Sequence, residues 1–291
     1  MKIKKKYKIA LIAPTYITFK AFMLNHIKEL NKKYIIFIYC NDAHKLKNLV
    51  PRNTYLIDID FKRNVSILFY FITFFVLLFF FLKHRPNLTI SMTPKAGFIV
   101  SVVSFISNIR YRLHWFTGQV WSNKNGLSKI FFKFLDKIIF LLSSSVLVDS
   151  FSQKQFLIDN KIITKDKSFV LYNGSVGGID TTKFKNKIKK KNELRNKFSI
   201  SSNTFVFLYL GRIKKEKGIV DLIEAFKKVK KKYQKILLIF VGPMEDKKLK
   251  YLLKIEDEKI LFFDRTSESE KWFSLADILC LPSYREGFGT V

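Results

Sequence analysis

Two short stretches of the sequence combine charged side chains with glycines, as anion-binding loops do. The first, GRIKKEKG at residues 211–218, follows an apolar run and precedes a helical pattern. Gly211 lets the backbone turn, and the free amides at a helix start favour anions. A guanidinium fork at Arg212 and an ammonium at Lys217 suit a diphosphate. A basic loop in a very basic protein explains this stretch equally well, so both interpretations stay open for it alone.

The second stretch, REGFG at residues 285–289, places a carboxylate at the end of an apolar run. Glu286 could accept hydrogen bonds from hydroxyl groups, and Gly287 and Gly289 would let backbone amides approach a ligand. The alternative is a glycine turn beside a solvated acid. That alternative weakens because both stretches follow strands of one predicted sheet, and ligands bind at the carboxyl ends of parallel strands. We therefore predict that the two stretches converge on one ligand.

Apolar strand-like runs alternate with helical stretches along almost the whole chain. Such alternation predicts an α/β fold with parallel sheets covered by helices on both faces. The predicted strands are 8–13, 34–40, 54–59, 87–92, 111–116, 145–150, 168–173, 204–211, 235–242, 259–264 and 277–282. The predicted helices are 20–33, 64–83, 95–107, 127–142, 151–160, 217–232, 246–254 and 268–276.

A lysine-rich stretch divides this alternation into two series. We predict two Rossmann-like, doubly wound domains facing a cleft, at residues 1–175 and 201–291, with a basic linker at 176–200. The second series stops where a further strand and helix should follow. We therefore expect a second domain that is truncated at its C-terminal end.

The charge balance is strongly basic, with 53 lysines and arginines against 23 acids and a formal net charge of +30. Codon usage in an AT-rich genome would explain many lysines, but it does not explain the shortage of acids. The other interpretation is an anionic partner, either nucleic acid or an anionic membrane surface. The sequence has no aromatic and basic motif of the RNA-binding type, so we expect no nucleic acid.

Residues 65–82 form a run without a charged side chain, bordered by basic residues on both sides. The run reaches the lower length limit of a membrane span. A true span would put strands of one sheet on opposite sides of a bilayer, so we rank it last. We expect first a helix buried in the domain with its outer face on a membrane, and second an ordinary buried helix.

The sequence gives little sign of metal or redox chemistry. Its four histidines lack metal-ligand spacing and no G-x-G-x-x-G fingerprint occurs, so we expect no metal and no cofactor. Asp58 and Asp60 have a spacing that can hold a metal, although a structural role is the more frequent one. Cys40 and Cys280 lie in apolar runs, which predicts buried reduced thiols in a cytosolic or cytosol-facing protein without a secretion signal.

Taken together, these motifs resemble a known enzyme family. GRIKKEKG followed by LPSYREGFG resembles the retaining family-4 (group 1) glycosyltransferases, which have the GT-B fold. TPKAG at 93–97, HWFTG at 114–118 and NGSVGGID at 173–180 resemble the bacterial surface-polysaccharide sugar transferases of that family. The resemblance covers essentially the whole chain. It implies a retaining hexosyl- or N-acetylhexosaminyltransferase.

The resemblance implies a UDP- or GDP-linked sugar donor that the second domain binds without a metal. Arg212 and Lys217 would hold the diphosphate and stabilise the leaving group. Glu286 would contact the donor sugar as the first glutamate of an E-x7-E motif, whose second glutamate would fall beyond residue 291. The implied donor-binding residues are Gly211, Arg212, Lys217, Glu286, Gly287, Phe288 and Gly289.

The same resemblance places the acceptor, often a lipid-diphosphate-linked sugar in this group, on the first domain. Many relatives carry His-Gly where this chain has Thr117 and Gly118, so the identity of an acceptor-side histidine stays open. The glycine-rich loop that many relatives have after the first strand is here PTYITFK at 14–20. The implied acceptor-side residues are Lys95, Gly97, His114, Thr117, Gly118 and Asn173.

We therefore expect a glycosyltransferase of cell-surface polysaccharide, lipopolysaccharide or capsule synthesis. Its partners would be a nucleotide sugar, a lipid-linked saccharide acceptor and an anionic membrane surface. It would lie peripherally, or monotopically, on the inner face of the cytoplasmic membrane. Two alternatives stay open: a non-catalytic basic protein that binds a membrane or nucleic acid, and an inactive truncated remnant of a transferase. The sequence determines neither the oligomeric state nor the sugar and linkage.

Overall fold

The structure is a computed structural model that describes residues 7–61, 67–184, 188–246, 249, 257–284 and 286. The chain divides into two compact units, one running to Gly178 and the other spanning Ile179–Glu286. Each unit contains one sheet whose strands all pair in parallel. The predicted α/β fold with parallel sheets is confirmed.

The elements of the first unit follow the predicted alternation closely. Its strands are β1 Lys8–Thr15, β2 Ile35–Asn41, β3 Tyr55–Asp58, β4 Leu88–Met92, β5 Tyr111–Phe116, β6 Ser145–Val148 and β7 Ser168–Phe169. Its helices are α1 Tyr16–Phe22, α2 Leu24–Asn31, α3 Ile67–His84, α4 Pro94–Ile106, α5 Gly126–Leu142 and α6 Phe151–Asp159. Short 3-10 turns lie at Ala43–Leu46 and Val120–Asn123. The strand predicted at 168–173 is shorter than expected.

The first sheet has the strand order β3-β2-β1-β4-β5-β6-β7. Its strand β1 is buried on both faces: Ile9 and Leu11 pack in a core with α1 and α2, whereas Ala10 and Ile12 pack in a core with α3 and α4. The chain changes direction across the sheet between β1 and β4. In open parallel sheets a ligand crevice lies at such a switch point, beyond the carboxyl ends of the strands.

Helix α3 takes up most of the apolar run that the sequence singled out. Its inner side is buried at Leu77 and Phe81, while Phe71, Phe75 and Phe79 on other sides are exposed. Within the described residues, no helix combines the length and apolar character that crossing a membrane requires. The helix is therefore attached to the sheet along one side and leaves large apolar side chains uncovered.

The second unit repeats the architecture on a smaller scale. Its strands are β8 Phe205–Leu210, β9 Ile236–Val241, β10 Ile260–Phe263 and β11 Ile278–Leu279, in the sheet order β10-β9-β8-β11. Its helices are α7 Ile188–Lys197, α8 Ile219–Lys230 and α9 Ser269–Leu275, with a 3-10 turn at Lys215–Lys217. The helix predicted at 246–254 lies largely outside the described residues.

The structure differs from the expected basic linker at 176–200. Within that range residues 188–197 form α7, and Arg195 of α7 is buried. Its guanidinium pairs with Asp277 at 2.7 Å and donates to the carbonyls of Ser202 and Thr204 at 3.0 Å each. Arg195 therefore attaches this helix to the second sheet, which the lysine-rich composition of the segment did not indicate.

Candidate donor and acceptor sites

The two loops that follow β8 and β9 pass directly against each other. Gly211 has φ +154° and Gly242 has φ +146°. A Cβ on Gly242 would lie 1.9 Å from the carbonyl oxygen of Gly211, so no side chain fits at position 242. The motif search had identified Gly211 but missed Gly242. Its signal in the sequence is a glycine immediately after a fully buried strand.

The loop at 215–218 contacts the segment that follows β11. Gly218 has φ +69°, and a Cβ there would lie 2.0 Å from the carbonyl oxygen of Pro282. The backbone amide of Tyr284 donates to the carbonyl of Glu216 at 3.1 Å, and its hydroxyl donates to Asp221 of α8. The segment that leads to Glu286 is therefore held against the start of α8.

This contact brings two of the predicted site residues together. The ammonium of Lys217 forms an ion pair with the carboxylate of Glu286. The Lys217 side chain is 15% exposed and that of Glu286 is 41% exposed, so the pair lies at the surface with its cation largely covered. Gly287, Phe288 and Gly289 lie outside the described residues.

Arg212 lies in the same loop as Lys217 but has a different ion-pair partner. Its Nη1 is 3.2 Å from Glu245 Oε2, in the loop after β9. The Tyr209 hydroxyl donates to the Arg212 carbonyl at 2.8 Å. Burial, followed by the nearby Glu286 carboxylate, raises the pKa of Tyr209, while the Arg212 charge opposes that rise. The charges of both predicted site residues therefore act on Tyr209.

In the first unit, the two acceptor-side positions Gly97 and His114 touch. A Cβ on Gly97 of α4 would lie 2.3 Å from His114 Cε1. The His114 Nδ1 is 2.8 Å from the Ser91 hydroxyl, and the ring is 1% exposed. Burial lowers the pKa of His114 to about 3, so the imidazole is neutral at physiological pH. The structure places this histidine as a core residue against α4.

The other acceptor-side positions follow strands of the same sheet. Thr117 and Gly118 come directly after β5, and Gly118 has φ +122°. Asn173 is exposed in the turn that follows β7. Lys95 lies in the first turn of α4, and its side chain falls outside the described part of the structure. All four positions therefore follow the carboxyl ends of β4, β5 or β7.

A buried polar group at the same edge was missed by the sequence analysis. Asp149 directly follows β6 and is 4% exposed, and burial raises its pKa to about 7. Its backbone carbonyl accepts from the amide of Ser175 at 2.7 Å. His26 of α2 lies nearby in this unit, with its Nε2 2.6 Å from the Val176 carbonyl and its ring edge-on to Trp115. In the sequence, the signal for Asp149 was an acidic residue directly after an apolar strand.

The D-x-D pair has a structural explanation. Asp58 Oδ1 accepts from the Ala43 amide at 2.5 Å and so holds the first 3-10 turn. In the described residues no group of histidines, cysteines and acids has a geometry that could hold a metal. Of the cysteines, Cys40 is buried as predicted, and burial raises the pKa of its thiol to about 12. Cys280 is only partly buried, and it directly follows β11, the strand at one end of the second sheet as the structure describes it.

Comparison with known proteins places these sites in context. Residues 190–291 match the family of group 1 glycosyl transferases. The capsular polysaccharide biosynthesis glycosyltransferase CapM of Staphylococcus aureus is 27% identical over 275 residues, covering 92% of this chain and 71% of that protein. The family match of the second unit and the similarity of most of the chain to CapM together support a glycosyltransferase. The Lys217–Glu286 pair lies inside the matched segment.

Two further proteins similar to this glycosyltransferase differ in the evidence they provide. The N-acetylgalactosamine-N,N'-diacetylbacillosaminyl-diphospho-undecaprenol 4-alpha-N-acetylgalactosaminyltransferase of Campylobacter jejuni is 25% identical over 176 residues, 60% of this chain and 45% of that protein. The crystal structure of Anabaena Alr3699/HepE in complex with UDP superposes with a TM-score of 0.75 at 16% identity, covering 98% of this chain and 76% of that one. The latter likeness shows the fold, which is GT-B-like.

Proposed function

We propose that this glycosyltransferase moves a sugar from a UDP- or GDP-linked donor to a lipid-linked saccharide acceptor, with retention of configuration, in the synthesis of a cell-surface polysaccharide. The observation that carries the proposal is the pairing of Lys217 with Glu286, in the loop that also contains Arg212 and inside the segment matched by the family. The capsular function in the name of CapM and the diphospho-undecaprenol in the name of the Campylobacter relative support the product and acceptor classes.

On the donor side, the second unit would bind the nucleotide diphosphate with two cations and a helix start. Helix α8 begins at Ile219 behind Gly218, which has no side chain to cap the first amides. Those amides are available to an anion. Arg212 and Lys217 would add charge-assisted hydrogen bonds to the same diphosphate. As the glycosidic bond breaks, negative charge develops on the leaving diphosphate, and the two side chains would stabilise it without a metal.

Donor binding would exchange ion-pair partners in this site. In the structure Arg212 pairs with Glu245 and Lys217 pairs with Glu286. A diphosphate that takes both cations would release Glu286, whose carboxylate could then accept hydrogen bonds from the hydroxyls of the donor sugar. The acid is thus held beside the place where the sugar would lie, and it becomes available when the diphosphate arrives.

On the acceptor side, the residues at the carboxyl ends of β4, β5 and β7 would bind the saccharide. We propose that the protein works peripherally on an anionic membrane, at the inner face of the cytoplasmic membrane. The uncovered apolar side chains of α3 and the net charge of +30 support this placement.

Substitution of the two cations tests the donor site. In the variant Arg212→Ala with Lys217→Ala, we expect calorimetry to show no UDP binding, and transfer from UDP- or GDP-sugars to a lipid-linked acceptor to fall by about 10²–10³-fold or more. Glu286→Gln should keep UDP binding, because it leaves both cations in place, but should lose transfer.

Lys215→Ala is the matched control, since Lys215 lies in the same turn, is exposed and has no assigned role. Its binding and transfer should equal those of the unsubstituted protein. Normal turnover in the double variant would refute the diphosphate role assigned to Arg212 and Lys217.

A further inference from the structure

The first unit contains an apolar groove, with a volume of about 710 Å³, between α3, α4 and α5. This volume lies in the range of about 300–1,000 Å³ that is typical of ligand sites. Its walls are almost entirely apolar and aromatic. Residues that line it include Phe71, Phe75, Val102, Trp121, Phe131 and Leu135.

The groove is open to solvent although its walls are apolar. Phe75 of α3 is 61% exposed and Phe131 of α5 is 56% exposed. Leaving such side chains in water is unfavourable, and a contiguous exposed apolar surface marks a binding site. The wall is also rigid at one point, since Trp121 Nε1 donates to the buried carboxylate of Asp136 at 2.7 Å. A bound apolar group would therefore enter a largely preformed site.

One end of the groove reaches the edge of the sheet that would bind the acceptor. Thr93 and Pro94, which line the groove, directly follow the carboxyl end of β4. Val120 and Trp121 line it as well and follow β5 after a short connection. A ligand that begins among the acceptor-side residues could thus extend into the groove.

Two lysines lie over aromatic rings of the groove lining. Lys124 Nζ is 5.2 Å from the centre of the Phe132 ring, and Lys133 Nζ is 5.1 Å from that of Trp121. The Lys133 ammonium also donates to Asn160 Oδ1 at 3.1 Å, a partner that it would exchange for an anion. These ammonium groups add positive charge beside an apolar channel. Apolar walls with cations beside them are complementary to an amphiphile that has an anionic head.

We propose that this groove holds the isoprenoid chain of a lipid-diphosphate acceptor, and that Lys124 and Lys133 bind its diphosphate. The acceptor class rests on the proposed function. A phospholipid fits less well, because it has two acyl chains for one channel and a single phosphate for two lysines. The groove would orient the acceptor so that its saccharide lies at the carboxyl ends of β4 and β5.

The test is calorimetric titration of the whole chain with farnesyl diphosphate, a soluble isoprenoid diphosphate, below the concentration at which it aggregates. We expect it to bind more tightly than inorganic diphosphate or farnesol. Phe75→Ser with Phe131→Ser should weaken that binding about tenfold or more, because two apolar contacts are lost. Binding of farnesyl diphosphate no tighter than that of inorganic diphosphate would overturn the proposal.

Phe79→Ser with Phe134→Ser is the matched control. These two side chains lie on the same helices and are 59% and 60% exposed, but they are not part of the groove lining. The control should change the farnesyl diphosphate affinity by less than about twofold. Equal losses in both pairs would contradict a specific groove. All four positions are exposed, and circular dichroism checks that the fold is retained.

Three further measurements separate the possible occupants of the groove. Lys124→Gln with Lys133→Gln should weaken farnesyl diphosphate but not farnesol. If Phe75→Ser with Phe131→Ser abolished binding to phosphatidylglycerol vesicles but left farnesyl diphosphate binding unchanged, the occupant would be bilayer lipid and the proposal would be wrong. Another outcome would be a dimer of the unsubstituted protein that Phe75→Ser with Phe131→Ser converts to a monomer. If farnesyl diphosphate also left that dimer intact, the occupant would be a second copy of this chain and the proposal would be wrong.

The lipid-binding test is independent of the donor-site test. UDP titration of the same variants should match that of the unsubstituted protein, because none of these residues lies in the second unit. A failure of the proposed donor chemistry would leave farnesyl diphosphate binding intact. Conversely, failure of farnesyl diphosphate to bind would leave the predictions for Arg212 and Lys217 unchanged.

Discussion

At the scale of single residues, a missing side chain decides how α4 meets the first sheet. Gly97 lets the His114 ring approach the helix backbone, and Ser91 fixes the ring from the other side. The buried ring is neutral because burial lowers its pKa to about 3. Sequence motifs had suggested both residues for the acceptor side, and their packing gives each a structural role whether or not it also binds an acceptor.

Gly97→Ala should destabilise the first unit by about 1–2 kcal/mol, because overpacking against the ring exceeds the gain of roughly 1 kcal/mol in helix propensity. In a His114→Ser background the ring is gone, so the same substitution should become neutral or stabilising. Chemical denaturation of the four proteins measures this coupling. Equal effects of Gly97→Ala in both backgrounds would contradict the contact.

The buried carboxyl of Asp136 predicts a pH dependence of stability. Burial raises its pKa to about 7 from 3.8, so the folded state binds this proton more tightly than the unfolded state. Its contribution to stability is therefore complete below pH 3.8 and is lost as the pH rises to about 7. Asp136→Asn, which can still accept from Trp121, should gain stability relative to the unsubstituted protein over this range. Denaturation curves at several pH values measure the difference, and a difference independent of pH would refute it.

At the scale of elements, α7 shows how a polar helix can be fixed to a sheet. Its sequence IKKKNELRNK has no apolar stripe, and lysine-rich segments are usually solvated. The Arg195 guanidinium nevertheless reaches Asp277, whose Oδ2 also accepts from the Val206 amide at 2.8 Å. One carboxylate thus joins α7, β8 and the start of β11. Burial is the largest single effect on the pKa of Asp277, and it raises that pKa. The hydrogen bonds from Lys191 and the Val206 amide, together with the charge of Arg195, outweigh burial and lower the pKa below its usual value.

Arg195→Met should lower the free energy of unfolding by about 3 kcal/mol, because it leaves Asp277 and several carbonyls without their buried donor. Lys191→Met is the control: Lys191 pairs with the same carboxylate at 2.6 Å but is more exposed, so it should cost less than about 1 kcal/mol. Thermal or urea denaturation compares the two variants. Equal losses would contradict the assignment of Arg195 as the principal attachment.

At the scale of the whole molecule, charge and uncovered apolar surface both favour an anionic membrane. The chain has a net charge of +30, and α3 and α5 expose several large apolar side chains. Either property alone has ordinary explanations. Together they support the proposed peripheral placement, in which aromatic side chains would enter the lipid interface while basic residues contact the headgroups.

The protein should bind phosphatidylglycerol vesicles in a salt-sensitive manner and bind phosphatidylcholine vesicles weakly. Phe79→Ser with Leu82→Ser should lower the vesicle-bound fraction severalfold, because two side chains that would enter the lipid are lost. Ile17→Ser with Leu49→Ser, at exposed positions away from α3 and α5, is the control. Vesicle co-sedimentation provides the measurement, and equal binding to both lipids at every salt concentration would contradict the membrane proposal.

The sequence by itself determined the alternation of strands and helices, and hence the α/β class, because side-chain periodicity is a local property of the chain. It also identified the loops at Arg212 and Glu286 as candidates, since glycines and charges at strand ends are visible without coordinates. Even short elements such as β10 and α9 were found close to their observed bounds. What the sequence did not reveal, such as the attachment of residues 188–197 to the second sheet through Arg195, depended on a partner far away in the chain.

Only the tertiary structure decided which distant residues meet. The pairing of Lys217 with Glu286, the ring of His114 on Gly97 and the carboxylate shared by α7 and β11 all join segments separated by intervening elements. The groove between α3, α4 and α5 likewise exists because three helices are placed side by side by the sheet. Such contacts follow from strand order and packing, and neither is encoded in any single stretch of the chain.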